Sequence, residues 1–184
     1  FDKDGHVDEK NPGSEFLNEG WRHGLSPSQL SIEWTTRVQQ LFLEGTGEDY
    51  FIGSIQSLPV PDWNGNFMLF DSDDCNQDSM RGLLWTTPFK ENTVRIVSFV
   101  LDAGARGKGW GSLAWNLMAE QLRPLGYDVV QLEVRASNKG AISFYRKRGL
   151  EIVQELHGYY RQGMGYVMRG KLQHFHPNND TPKD

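Results

Sequence analysis

An α/β fold built on a mixed sheet is predicted by three features of this 184-residue chain. Strand, glycine-rich turn, helix and strand follow one another between Val94 and Val134, the succession that joins two parallel strands by a right-handed crossover. Short apolar runs on either side have the length and the bounding turn residues of further strands. Capping residues and apolar spacing mark one helix near the N-terminus and another inside the crossover. Antiparallel pairing of the early strands would make the class α+β.

Taken in order, residues 1–24 are rich in Gly, Asn, Asp and Glu and read as a flexible tail. Ser26-Pro27-Ser28-Gln29 supplies a capping serine, a proline for the first helical position and a glutamine for a capping box. Leu30, Trp34, Val38 and Leu41 follow at helical spacing, which predicts a helix over 28–44. Phe51–Ile55 and Phe67–Phe70 are expected as short strands, with Pro59, Pro61 and Asn64-Gly65 in the loop between them. The acidic stretch Asp71 to Asp78 reads as a solvated loop, because aspartates gather in turns for local hydrogen bonding. Arg81–Thr86 and Val94–Leu101 are expected strands. Trp110–Leu122 is an expected helix stopped by Pro124 and Gly126. Then come a strand, Val129–Val134, a short helix, Ala141–Arg148, ended by Gly149, and a strand pair over 151–157 and 164–171, with Tyr159-Tyr160 in the turn. Residues 173–184 read as a second tail, leaving one domain over 25–172.

Composition narrows the function. Hydrophobic residues make up 38% and aromatics 12%, enough to fill a sizeable core. No apolar run approaches the ~18 residues of a membrane span, so no membrane partner is expected. One cysteine, Cys75, allows neither an internal disulfide nor a cysteine-based metal site, and the cytoplasm is the expected compartment. The net charge of −5 conceals an asymmetry: residues 95–172 sum to +6 and the rest of the chain to −11. Nucleic acid needs an extended basic face and is not an expected partner, whereas a compact phosphorylated ligand suits one basic segment.

That segment contains Arg106-Gly107-Lys108-Gly109-Trp110-Gly111-Ser112 between a strand and a helix. Backbone N–H groups at a helix start, unobstructed by side chains, suit phosphate oxygens, and the helix dipole favours their charge. The alternative is a tight turn whose glycines only permit positive φ. A P-loop is excluded by spacing. Gly109-x-Gly111-x-x-Ala114 satisfies a loose dinucleotide fingerprint, but seven residues, Asp102 to Lys108, separate its start from Leu101, and no acidic residue ends the next strand to bind a ribose.

Arg106, Gly109 and Gly111 match the Arg/Gln-x-x-Gly-x-Gly/Ala signature, and a second block follows: Leu132 to Asn138, Ala141, Phe144-Tyr145 and Gly149-Leu150. On these motifs residues 81–172 resemble the GCN5-related N-acetyltransferase superfamily, most closely the RimI and Ard1 branch, which acetylates protein N-termini. Tyr159-Tyr160, Gly163 and Tyr166-Val167-Met168 resemble that branch's C-terminal hairpin, although Met164-Gly165 stands where it often carries an acidic pair. The resemblance implies a mixed sheet flanked by helices and acetyl-CoA as acetyl donor. It implies that the backbone of Phe99, Val100 and Leu101 meets the pantetheine arm, that Arg106, Gly107, Lys108, Gly109, Trp110, Gly111 and Ser112 cradle the pyrophosphate, and that Asn138 bonds the cofactor. Glu133 matches a general base, and Tyr145 the donor of a proton to the departing thiolate.

Amide formation from a thioester needs a neutral amine, a stabilised oxyanion and a protonated leaving sulfur. Glu133 lies on the polar face of its strand, where it lines a cleft or pairs with a cation such as Arg135 at a wet edge. Tyr145 offers a phenol of ordinary pKa about 10, or merely a ring for the core. Arg146-Lys147-Arg148 reads as a solvated helix face, and His174 with His176 lacks a third ligand, so no metal is expected. Tyr159 and Tyr160 are expected to meet the acceptor, a protein or peptide N-terminal α-amine rather than a small amine such as a polyamine or amino-sugar. A non-catalytic acyl-CoA sensor and a dinucleotide-binding module are the rival readings; the chain is expected as a monomer or a homodimer.

Overall fold

Alternation builds the strand on which the polar candidates sit. Over Val129–Arg135, residues Val130, Leu132 and Val134 are buried and those between them half-exposed, so the strand has one apolar and one polar face. The computed structural model describes residues 17, 18, 20–160 and 163–177. Over them run β1 (Trp21–His23), α1 (Ile32–Thr46), α2 (Ile52–Gln56), β2 (Phe67–Phe70), β3 (Met80–Phe89), β4 (Thr93–Leu101), α3 (Trp110–Leu122), β5 (Val129–Arg135), α4 (Lys139–Lys147), β6 (Glu151–Tyr160) and β7 (Gly163–Lys171). The strands form one mixed sheet in the order β1-β2-β3-β4-β5-β7-β6. The β4/β5 pair is parallel, as the crossover predicted; β1/β2, β2/β3, β5/β7 and β6/β7 are antiparallel.

Contacts divide the chain into two compact units. The first comprises the residues up to Trp85 together with Phe99–Lys108. Ser31, in extended conformation, caps α1 by accepting from the Trp34 N–H at 3.3 Å. Trp34, Val38, Leu41 and Phe42 are buried along one face of α1, and Phe42 meets Trp85 edge-on at 6.1 Å. The Trp85 indole N–H donates to the Leu25 carbonyl at 2.9 Å. The helix expected over 28–44 is divided: Pro27–Gln29 is a 3-10 turn whose Gln29 side chain accepts from the Ser26 N–H, and α1 starts afresh after Ser31.

Two further expectations are corrected in this unit. Residues 52–56 form a helix, not a strand, with Ile55 fully buried and Phe51 exposed. Trp21–His23, assigned to the N-terminal tail from composition, is a strand paired with Phe67–Leu69, and Trp21 is fully buried.

The second unit comprises Thr86–Ser98 and the residues from Gly109 onward. Ala114, Trp115, Leu117, Met118 and Leu122 give α3 its buried face, while α4 buries Ile142 and Tyr145. Tyr159 and Tyr160 end β6 instead of forming a turn, since the strand runs to Tyr160 and pairs there with Gly163; their side chains lie outside the described residues. Gln173 to Phe175, expected as the start of a tail, runs along α3. The Gln173 carbonyl accepts from the Trp115 indole at 3.1 Å, and the Asn116 amide both accepts from the Phe175 N–H and donates to its carbonyl.

Candidate active site

The turn before α3 is shaped by Gly107 and Gly109, whose φ values of 71° and 84° are strained for any other residue. A Cβ at either would meet nothing within 4 Å. Gly109 is the N-cap of α3, and the Leu113 N–H returns to its carbonyl at 3.1 Å. The N–H groups of Gly111 and Ser112 therefore have no acceptor within the helix. No acidic side chain occupies the first turn of α3, so its positive end lacks the usual internal counter-charge. The turn has open space and donors where a pyrophosphate needs them.

Arg106 opens the turn, directly after the 3-10 turn Ala103–Ala105. Its guanidinium donates to the carbonyls of Leu101 (3.2 Å) and Gly45 (2.8 Å), stapling the turn to the end of β4 and to α1. Lys108 is exposed. Phe99, Val100 and Leu101 complete β4 in the first unit, with Val100 buried. In the second unit, pairing of β4 with β5 runs from Thr93↔Val129 to Ile96↔Leu132 and stops there among the described residues, although β4 continues through Val97 and Ser98 and β5 through Arg135.

Glu133 stands opposite Val167 of β7, on the half-exposed face of β5. Its partner is Arg95 of β4, whose Nε donates to both carboxylate oxygens at 3.0 and 3.1 Å. Arg95 was missed from the sequence, where the available signal was a lone charge alternating with Val94 and Ile96 in an apolar strand. On the same face the Arg169 guanidinium donates to the Gln131 side chain at 3.2 Å.

Tyr145 is 7% exposed, its ring tilted against Trp115 and edge-on to Phe144. Burial raises its phenol pKa well above the ordinary value, and the nearby Arg148 opposes this only partly. No hydrogen bond or ring contact links Tyr145 to Glu133 among the described residues; separate sets of contacts hold them. Asn138 caps α4 by accepting from the Ala141 N–H at 3.1 Å, which commits its carbonyl and leaves its amide hydrogens as donors.

The basic triplet of α4 splits. Arg146 and Lys147 are exposed and line a cavity of about 290 Å³ with Lys139, Ser143, Ile152 and Tyr166. Arg148 is 6% exposed and donates to the Ser112 hydroxyl at 2.5 Å and to the Phe144 carbonyl at 2.9 Å. Its i, i+4 spacing from Phe144 was the sequence signal that it lies on the inner face of the helix. Among the described residues no three His, Cys, Asp or Glu side chains could together hold a metal ion; His174 faces Glu120 at 3.4 Å and stacks on His176.

Relatives agree with this architecture. An uncharacterized N-acetyltransferase of Methanocaldococcus jannaschii is 31% identical over 130 residues, 70% of this chain and 50% of that protein. A mycothiol acetyltransferase of Mycolicibacterium vanbaalenii is 30% identical over 97 residues, 50% of this chain and 31% of that protein. The chain thus spans half or less of the length of these relatives. The crystal structure of Ard1 from Thermoplasma volcanium superposes with a TM-score of 0.70 at 24% identity, covering 83% of this chain and 97% of that one, a likeness of fold. Residues 14–150 match the family described as Acetyltransferase (GNAT), which covers the glycine turn, Glu133, Asn138 and Tyr145, and to this family the chain belongs.

Proposed function

We propose that this chain transfers an acetyl group from acetyl-CoA to a primary amine by direct attack within a ternary complex. The observation that carries the reading is the positive end of α3: the first-turn N–H groups of Gly111 and Ser112, two positive-φ glycines opening on free space, and no internal carboxylate. Acetyl-CoA, when bound, supplies a thioester already activated for acyl transfer. The chain supplies the rest. Gly111 and Ser112 donate to the pyrophosphate, helped by the exposed Lys108 and by the Asn138 amide. Gly107 and Gly109 allow close approach, and Arg106 holds the turn in shape. The backbone of Phe99, Val100 and Leu101 at the end of β4 meets the pantetheine arm.

Glu133, held at both oxygens by Arg95, takes the proton of the incoming ammonium, directly or through water. Tyr145, protonated across the working pH range, hydrogen-bonds the sulfur as charge develops on it and passes its proton to the departing thiolate, regaining one from the second proton released by the amine nitrogen. The acceptor we favour is a protein or peptide α-amine, supported by the likeness to Ard1. The mycothiol acetyltransferase relative favours a second reading, a small-molecule amine.

Labelled acetyl-CoA offered with peptide N-termini, polyamines and amino-sugars tests both. Peptide acetylation is expected, and Glu133→Gln should lower kcat/KM for it by about 10²-fold. Acetylation of small amines alone would replace the first acceptor by the second. Binding without turnover would reduce the chain to an acyl-CoA sensor, and thermal stabilisation by NAD but not acetyl-CoA would remove the donor.

A further inference from the structure

Arg148 stands where electrostatics alone would not put it. Its guanidinium donates to Ser112, the third residue of α3, at 2.5 Å. A helix N-terminus carries about half a positive charge and is destabilised by a nearby cation, and α3 has no acidic residue in its first turn to compensate. The same cation is well placed with respect to α4, capping its C-terminal end through the Phe144 carbonyl at 2.9 Å. Arg148 therefore joins the negative end of α4 to the positive end of α3. An anion at the turn turns the unfavourable half of that arrangement into an attraction.

The contact also fixes what Ser112 can do. A hydroxyl has one proton and two lone pairs. Because a guanidinium can only donate, the Arg148 bond occupies a lone pair of Ser112 and leaves its proton for another acceptor. The positive charge polarises the O–H bond and strengthens that donation. Three aromatic contacts set the guanidinium in place: its Cζ is 3.4 Å from the ring centroid of Phe144, 4.1 Å from that of Phe175 and 5.9 Å from that of Trp115. Phe175 is in turn held by the paired hydrogen bonds of its backbone with Asn116 of α3.

We propose that Arg148 is a positioning residue for phosphate recognition: clamped by Phe144 and Phe175, it turns the Ser112 hydroxyl into an oriented donor to the donor substrate's phosphates. This rests on the reading of acetyl-CoA as that substrate. The segment after β7 thereby acts on the glycine turn through one side chain, touching neither the reacting atoms nor the acceptor.

Calorimetric titration of acetyl-CoA into the full chain and into Arg148→Met, Arg148→Lys, Ser112→Ala, Phe175→Ala and the Arg148→Met/Ser112→Ala pair tests this. Arg148→Met and Ser112→Ala should each weaken binding about tenfold. The double variant should be no weaker than either single one, since both remove the same interaction. Arg148→Lys should recover part of the loss, Phe175→Ala should lose about threefold, and the apparent affinity for pantetheine, which has no pyrophosphate, should be unchanged throughout. Ser112→Ala leaves the core untouched and keeps the test decisive should Arg148→Met fold poorly. Wild-type affinity in Ser112→Ala, or losses that simply add in the double variant, would overturn the proposal while the acetyl-CoA reading stands. A wild-type chain that does not bind acetyl-CoA would overturn both.

Discussion

At the scale of single residues, what a side chain touches separates roles that its type leaves open. Tyr145 shows this through its proton. Burial holds its phenol pKa above the value of about 10 that it has when unfolded. Below pH 10 the proton is on in both states and contributes no pH dependence. Above pH 10 the unfolded chain releases it while the folded chain resists, so stability falls as pH rises. Tyr145→Phe should flatten that alkaline loss. The variant should also lower kcat by about 10²-fold or more while leaving the shape of the pH–rate profile below pH 9.5 unchanged, because a neutral hydrogen-bond donor does not titrate there. A basic limb near pH 8–9 that disappears in Tyr145→Phe would show the phenol acting as a titrating acid instead.

Residue types also account for what the sequence hid at this scale. The place of Glu133 on the polar face of β5 follows from simple alternation, and that of Tyr145 on α4 from helical spacing with Ala141 and Ile142. The roles of Arg95 and Arg148 were not legible, because long cations read as solvated until their partners are known. Arg148 sits in a run of three basic residues of which two are exposed. Only the α4/α3 pairing shows that the third points inward.

At the scale of elements, legibility followed length. Trp110–Leu122 has the bounds its spacing predicted, since thirteen residues hold more than three helical turns of apolar periodicity. Five residues at Ile52–Gln56 hold barely one turn, and a Phe-Ile-x-x-Ile run fits either period. Three residues at Trp21–His23 hold no period at all, and their strand character comes from the partner β2. The docking of Gln173 to Phe175 is likewise tertiary, made by Trp115 and Asn116.

One element junction makes a sharp prediction. Gly170 of β7 lies so close to the turn between α4 and β6 that a Cβ would be 2.7 Å from the Gly149 carbonyl oxygen and 3.0 Å from the Leu150 Cα. These are backbone atoms, which cannot swing aside like a side-chain tip. Gly170→Ala should therefore destabilise the chain by about 1–3 kcal/mol, as overpacking does. The urea midpoint should fall with an unchanged slope. An unchanged midpoint would mean that the turn yields without cost.

At the scale of the whole molecule, the division into units is least legible, because each joins segments distant in the chain: Phe99–Lys108 belongs with the residues up to Trp85, and Thr86–Ser98 with those after Gly109. No local pattern encodes that. The charge asymmetry, by contrast, is visible in composition and bears on ligand binding. The chain carries −5 overall, yet residues 95–172 carry +6, so a polyanionic donor meets local attraction within a repelling net field. On the proposed reading the attraction at the turn is short-ranged: backbone N–H groups and the Ser112 hydroxyl would act at contact, while Arg106 is engaged with two carbonyls and Arg148 is buried. Salt screens charges farther apart than a Debye length, about 8 Å at 0.15 M. It should weaken the distant repulsion as much as the contribution of exposed Lys108, and leave the contacts at the turn in place. The dissociation constant for acetyl-CoA should thus change by less than about threefold between 50 and 500 mM NaCl, measured by calorimetry. A rise of ten-fold or more would mean that exposed cations carry the affinity, and would move the recognition of the phosphates from the helix N-terminus to the surface lysines and arginines around it.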